Sequence, residues 1–248
     1  MIVKGSLEKA KLYIESHSKD SGHINKRLNQ GPCITISRET GAGADLVSGA
    51  LVKFFQPYSD ENSPPWTVFD RNLIEKVLED HHLPHKLSQY FVEDKLSEFK
   101  STVNELLGIH PHAWVLINKT TSTILQLAQI GNCVIVGRAG NVITARLKNC
   151  FHVRLVAPID YRIPHVMEIY NLDRKEAIEF IRKEDAARRN YFNKYFNKNI
   201  DDPLLYHIIV NTGNIGYKKA AQIIGRAVIE NFSNMFSFSE ESLLNDCM

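Results

Sequence analysis

Cys33-Ile34-Thr35-Ile36-Ser37-Arg38-Glu39-Thr40-Gly41-Ala42-Gly43-Ala44 begins as a short β-rich run, breaks into a polar turn with two glycines, and continues into a stretch of helical period. A glycine loop between a strand and a helix has the layout of an anion cradle. Glycines let backbone N–H groups approach a phosphate, and the helix N-terminus adds its partial positive charge. The plainer alternative is a glycine turn that only joins strand to helix.

The loop does not satisfy the pattern G-x-x-x-x-G-K-[ST]. With Gly43 on its second glycine, Ala44 stands at the lysine, and neither Asp45 nor Leu46 is the Ser or Thr that would hold Mg²⁺. A phosphoryl-transfer site still needs a cation, because that chemistry is mostly positioning and electrostatics. Arg38 is the nearest candidate, and Thr40, Ser37 and Asp45 are the candidates to bind magnesium directly or through water. The expected cradle is therefore Ser37, Glu39, Thr40, Gly41, Ala42, Gly43, Ala44 and Asp45, with Arg38 beside it.

Outward from this loop the pattern repeats. Trp66–Asp70, Cys133–Gly137, Phe151–Ala157 and His207–Asn211 are further β-rich runs, separated by segments of helical period at about 44–55, 71–80, 86–107, 113–130, 159–170, 173–196 and 217–232. Strands alternating with helices predict an α/β fold with a doubly wound, five-stranded parallel sheet. The nearly continuous apolar character of the runs at 133 and 207 predicts strands covered on both faces. Ligands of such sheets bind at the carboxyl ends of the strands. That directs suspicion to Ser37, Arg38 and Glu39, to Asp70 and Arg71, to Gly137 and Arg138, and to Asn211 and Thr212.

The 248 residues suffice for one well-buried core, and 44% hydrophobic and 23% charged residues are ordinary for a globular chain. The expected organisation is an N-terminal helical appendage over 1–30, one domain over 31–232 and a tail over 233–248. A formal charge of +2 does not describe a nucleic-acid-binding surface. Cys33, Cys133, Cys150 and Cys247 form no C-x-x-C pair and read as small buried hydrophobes of a reducing compartment. With no signal segment and no apolar run of spanning length, the expectation is a cytoplasmic protein without a membrane partner. A homo-oligomer is left open. The histidines at 81, 82, 85, 110 and 112 lack a matching Cys or acidic ligand pattern, so no metal site is assigned to them.

Taken in order, Ser37-Arg38-Glu39-x-Gly41-x-Gly43, Asp70-Arg71, Val134-Ile135-Val136-Gly137-Arg138, Ala157-Pro158-x-x-x-Arg162, Asp185-x-x-Arg188-x-x-Tyr191, Asp202-Pro203-x-x-Tyr206 and Asn211-Thr212 resemble the cytidylate kinase-like family from about residue 33 to residue 230. The resemblance implies a P-loop fold of the nucleoside monophosphate kinase type with a helical lid. It also implies transfer of the γ-phosphoryl group of ATP, with Mg²⁺, to CMP, dCMP or a related small acceptor. By resemblance Arg138 holds the acceptor phosphate, and Arg162, Arg188 and Tyr191 belong to the lid and its hinge. Arg38, Arg138, Arg162 and Arg188 are the expected catalytic cations. Asp70, Arg71, Arg138, Asp185 and Tyr191 are the expected acceptor contacts.

Each assignment has a structural competitor. Arg138 suits a phosphate through its planar fork, but a surface ion pair would also explain it. Arg182, Asp185, Arg188 and Arg189 share one side of a predicted helix, where intrahelical ion pairs are the alternative. Asp70 could bind a sugar hydroxyl or amino group, or simply cap the next helix. Asn211-Thr212 could face the adenine or form a turn. Replacement of the lysine by Ala44 motivates a rival reading, a nucleotide-binding protein that kept the fold and lost the chemistry.

Overall fold

The computed structural model describes residues 11–14, 31–58, 65–70, 72–74 and 111–236, the stretch 111–118 by its backbone alone. Arg71, the side chains of His112 and Trp114, the histidines at 81, 82, 85 and 110, the segment 86–107 and the chain beyond 236 lie outside the described residues.

Five parallel strands form one sheet in the order β2-β3-β1-β4-β5: β1 (Cys33–Arg38), β2 (Thr67–Phe69), β3 (Cys133–Val136), β4 (Cys150–Val156) and β5 (Ile208–Asn211). Apart from short 3₁₀ turns, the helices between and after them are α1 (Ala44–Phe55), α2 (Pro111–Ile130), α3 (Gly140–Ile143), α4 (Ile159–Tyr170), α5 (Arg174–Phe196), α6 (Thr212–Ile215) and α7 (Tyr217–Asn231). β1 is central, in register with β3 from Cys33↔Cys133 and with β4 from Cys33↔Cys150. The chain leaves β1 for the β2 edge, returns as β3, and crosses β1 to β4. The loops after β1, β3 and β4 therefore meet at one carboxyl-terminal crevice.

The period-two alternation of the strands sorts their side chains into two cores. Ile34, Ile36, Val134, Val136, Val153 and Leu155 pack with α1 and α7, whereas Cys33, Cys133, Ile135 and Cys150 pack with α2 and α3. In α1 the residues Val47, Leu51 and Phe55, four apart, are fully buried. Each such side chain contributes about 1.5–3 kcal/mol of burial energy. Cys33, Cys133 and Cys150 are free, buried thiols side by side across three strands. Burial and the adjacent Cys133 push the Cys33 thiol up, which keeps it protonated.

Two expectations about the sheet and its flank differ from what is found. β3 is buried throughout, but among the described residues β5 is the last strand of the sheet, and Ile209 is 42% exposed. Residues 11–14, expected in an appendage, form a helical turn whose Tyr13 and Ile14 are fully buried in the first core. Tyr13 packs edge-on against Phe69 at 5.3 Å and donates its hydroxyl to the Gly131 carbonyl.

α4 and α5 form a hairpin that stands off the sheet, with its own small core of Ile163, Val166, Ala177 and Ile181. Asn171, in the left-handed region, ends α4. A capping box between Asp173 and Glu176 starts α5, each side chain accepting the other's backbone N–H at 2.8 and 2.9 Å. No helix among the described residues is long and apolar enough to cross a membrane.

Candidate functional site

The turn after β1 is shaped by Gly41 and Gly43, at φ 82° and 76°. Both are roofed: a methyl group on Gly41 would lie 2.7 Å from the Arg162 carbonyl oxygen, and one on Gly43 2.1 Å from the Tyr217 ring. Behind the loop, the buried Thr212 hydroxyl is shared between the carbonyls of Ala42 at 3.0 Å and Val156 at 3.3 Å. The end of β5 is thus a brace for the loop, and Asn211 caps the following turn by accepting the Gly213 N–H. Glu39 accepts the Ala157 N–H at 3.0 Å and lies 3.7 Å from Arg162 Nε, tying the loop to the start of α4.

Asp185, on α5, is the hub. Its Oδ1 accepts the Thr40 backbone N–H at 2.8 Å and the Thr40 hydroxyl at 2.7 Å, and its Oδ2 accepts from Arg162 Nη1 at 2.7 Å. Arg162 also donates to the Thr40 carbonyl at 3.3 Å. Arg188 donates to Thr40 Oγ1, lies 3.4 Å from Asp185, and pairs with Glu184 one turn back at 3.2 Å. Burial by itself would raise the Asp185 carboxyl, but the Thr40 and Arg162 hydrogen bonds outweigh it and hold it below the usual carboxylate range.

Arg38 takes a different direction from the one expected. Its guanidinium crosses toward β3 and rests on Gly137, where a Cβ would stand 2.1 Å from Nη1. Burial and the nearby Arg188 charge bring Arg38 down to about 10, so it still carries its charge at neutral pH. Gly137, Arg138 and Ala139 follow β3 at φ 85°, 52° and 54°. Two successive non-glycine residues in the left-handed region cost roughly 1–2 kcal/mol each, and such strain collects at ligand sites. Asp70 lies close enough to Arg38 to favour its charge, and it also caps the turn at 72–74 by accepting the Leu73 N–H at 2.7 Å.

Of the expected residues, Arg38, Glu39, Thr40, Arg162, Asp185 and Arg188 come together in one crevice. Tyr191 does not join them; it packs against Tyr195 and Phe196 at 5.1 and 5.8 Å on the first core. Arg182 is exposed. Ala44 is buried in the second core at the start of α1, at the lysine position of the G-x-x-x-x-G-K-[ST] pattern. The Asp45 carboxylate, lowered chiefly by the adjacent His165 ring, lies 3.6 Å from His165 Nε2.

The same geometry tests the three candidates for magnesium. Thr40 Oγ1 is engaged by Asp185 and Arg188 and Ser37 Oγ by Arg154, whereas the Asp45 side chain is 62% exposed beside His165. Among the described residues no group of three His, Cys, Asp or Glu side chains could hold a metal ion. The described residues offer no all-protein cage for Mg²⁺, an ion ordinarily held by one or two protein oxygens together with phosphates and water, and the arginines fit phosphate oxygens.

One functional-looking element escapes motif reading. Arg154, buried on β4, donates from Nη1 to Ser37 at 3.1 Å and from Nη2 to Asp201, and its guanidinium lies 5.8 Å from the Tyr206 ring centre. Asp201 in turn accepts from Arg189 Nε of α5 at 3.1 Å. The signal was present: a charge inside an apolar strand is stable only if paired.

Comparison with known proteins agrees with this geometry. The cytidylate kinase of Methanocaldococcus jannaschii is 17% identical over 158 residues, spanning 63% of this chain and 89% of that one. A stretch of 109 residues is 24% identical to a uronate isomerase of Corynebacterium glutamicum; it covers 44% of this chain and only 21% of that enzyme. The crystal structure of an uncharacterized protein from Eubacterium ventriosum shares the fold with a TM-score of 0.57 at 20% identity, over 79% of this chain and 98% of that one. The model of the cytidylate kinase-like family matches residues 33–214, and with the parallel β2-β3-β1-β4-β5 sheet and the loop after β1 this establishes that the chain belongs to the cytidylate kinase-like family.

Proposed function

We propose that the protein is a nucleotide-binding kinase that transfers the γ-phosphoryl group of ATP to a nucleoside monophosphate, CMP or dCMP in type, or to a related small acceptor. The observation that carries this reading is the convergence of Arg162 and Arg188 with Thr40 on one carboxylate, beside Arg38, at the carboxyl ends of the central strands. Guanidinium groups so gathered suit charge spreading over a transferring phosphoryl group. An ionised phosphate acceptor is already a nucleophile, so no protein base is required. Arg138 would serve the acceptor phosphate and the amides of 40–45 the donor. Magnesium would arrive on the nucleotide, held by its phosphates.

Purified protein incubated with Mg²⁺-ATP and a panel of nucleoside monophosphates should release ADP with at least one of them. No turnover with any acceptor by well-folded protein rejects the kinase. A second reading is favoured by Ala44, by the lack of a Ser or Thr after it, at Asp45 or Leu46, and by the Tyr217 ring against Gly43. It is a nucleotide-binding protein without phosphotransfer, for which ATP or a monophosphate raises the melting temperature while no ADP forms.

A further inference from the structure

The crevice lined by Arg38, Glu39, Arg154, Asp185, Arg188 and Arg189 retains a free volume of only about 10 Å³. That is at the limit for a single water, let alone a phosphate group. What fills it is the Asp185 carboxylate. Its partners are a loop amide, a hydroxyl and two guanidinium groups, the donor set that a phosphate oxygen would use in the same place.

We infer that Asp185 is a built-in anion that holds the phosphate site shut in the resting protein, and that a polyphosphate ligand enters by displacing it. This rests on the reading of the crevice as a nucleotide site. Displacement releases Thr40, Arg162 and Arg188 together, because all three meet at Asp185. The α4–α5 hairpin has its own core in Ile163, Val166, Ala177 and Ile181, so it is built to shift as a unit. The far end of α5 stays fastened by Phe192 and Phe196 in the first core. Thr40 and Arg162 hold the carboxylate in its ionised form, so it competes with the ligand as charge against charge.

The contrary role for Asp185 is to orient the two arginines for a ligand, and the two roles predict opposite signs. Inorganic tripolyphosphate reads the phosphate cradle alone, having neither sugar nor base. Its binding to the full chain and to Asp185→Asn is measured by calorimetry, with ATP in parallel and melting curves as the check on folding. The plug predicts roughly tenfold tighter tripolyphosphate binding by Asp185→Asn, because the closed state no longer taxes the affinity. Equal or weaker binding by the variant overturns the plug. If ATP still binds the native chain in that case, the nucleotide site survives without it. Asp185→Ser, uncharged and smaller, replaces the amide variant if that one does not fold. Binding of neither tripolyphosphate nor ATP to any of the proteins overturns both the plug and the phosphate site.

Discussion

Thr40 and Asp185, 145 residues apart in the chain, meet through a single carboxylate oxygen that accepts both the backbone N–H at 2.8 Å and the side-chain hydroxyl at 2.7 Å of the same threonine. The contact joins the loop after the central strand to the standing hairpin. It makes the state of the hairpin a property of the loop.

Arg162→Met tests how strongly that junction is held. The Arg162 and Asp185 side chains are 10% and 11% exposed, so removing Arg162 takes from a poorly solvated carboxylate its nearer cation, at 2.7 Å, and leaves it Thr40 and Arg188, the latter at 3.4 Å. The variant should lose about 3 kcal/mol of stability in urea unfolding, and Arg162→Met combined with Asp185→Leu should recover much of it. A loss below about 1 kcal/mol would put the pair in the class of exposed ion pairs.

Arg38→Met should separate stability from ligand binding. Arg38 is half-buried and faces the like charge of Arg188, so its removal relieves a repulsion in the free protein. The expected result is a melting temperature a few degrees higher without ligand, together with loss of the shift produced by monophosphates. A variant that melts lower and keeps the shift contradicts the placement of Arg38 in the binding site.

The pH dependence of stability should carry the mark of two stacked-strand histidines. His152 Nδ1 lies 2.9 Å from Thr35 Oγ1, and His207 Nδ1 accepts the His152 backbone N–H at 2.9 Å, which requires His207 to be unprotonated there. Burial, and next the neighbouring His207, lower His152 to about 4; burial lowers His207. With folded values below the unfolded one, the unfolded chain takes up protons first on acidification. The contribution is fully present above the unfolded value of about 6.5 and is lost as pH falls toward 4, by as much as about 3 kcal/mol. Urea midpoints from pH 7 to pH 4 should show this decline, and His152→Gln should flatten it.

Gly43→Ala should be costly for two separable reasons, its φ of 76° and the Tyr217 ring 2.1 Å from the new Cβ. The expected loss is roughly 1–3 kcal/mol in thermal or urea unfolding. In the background of Tyr217→Ala the steric part should disappear and the backbone part remain. A substitution without measurable cost would mean that the loop opens freely around Gly43.

Much of this architecture was legible because local pattern and tertiary demand agree. The five strands and the helices at 44–55, 159–170 and 173–196 begin and end within a residue or two of where periodicity and the glycine loop put them. β5 misled because a run such as Ile208-Ile209-Val210 looks the same at a sheet edge as in its middle; strand order, which decides coverage, is not a local property. Asp70 was read with two roles and performs the capping one visibly, since a cap needs only the next three residues.

What the sequence determined alone is the list of parts: parallel strands, a glycine loop after the first of them, a lysine position filled by Ala44, and arginines spaced along one predicted helix. Each follows from backbone propensity or from period, which act over a few residues. Only the tertiary structure decided the partners. Arg38 turns toward Gly137 rather than into its own loop, Tyr191 packs in a core, Arg154 is tied to Ser37 and Asp201, and Asp185 sits in the cradle. Those choices depend on groups far apart in the chain being buried together, where an unpaired charge is too costly to keep, so each one takes whichever counter-charge or open space the packing brings within reach.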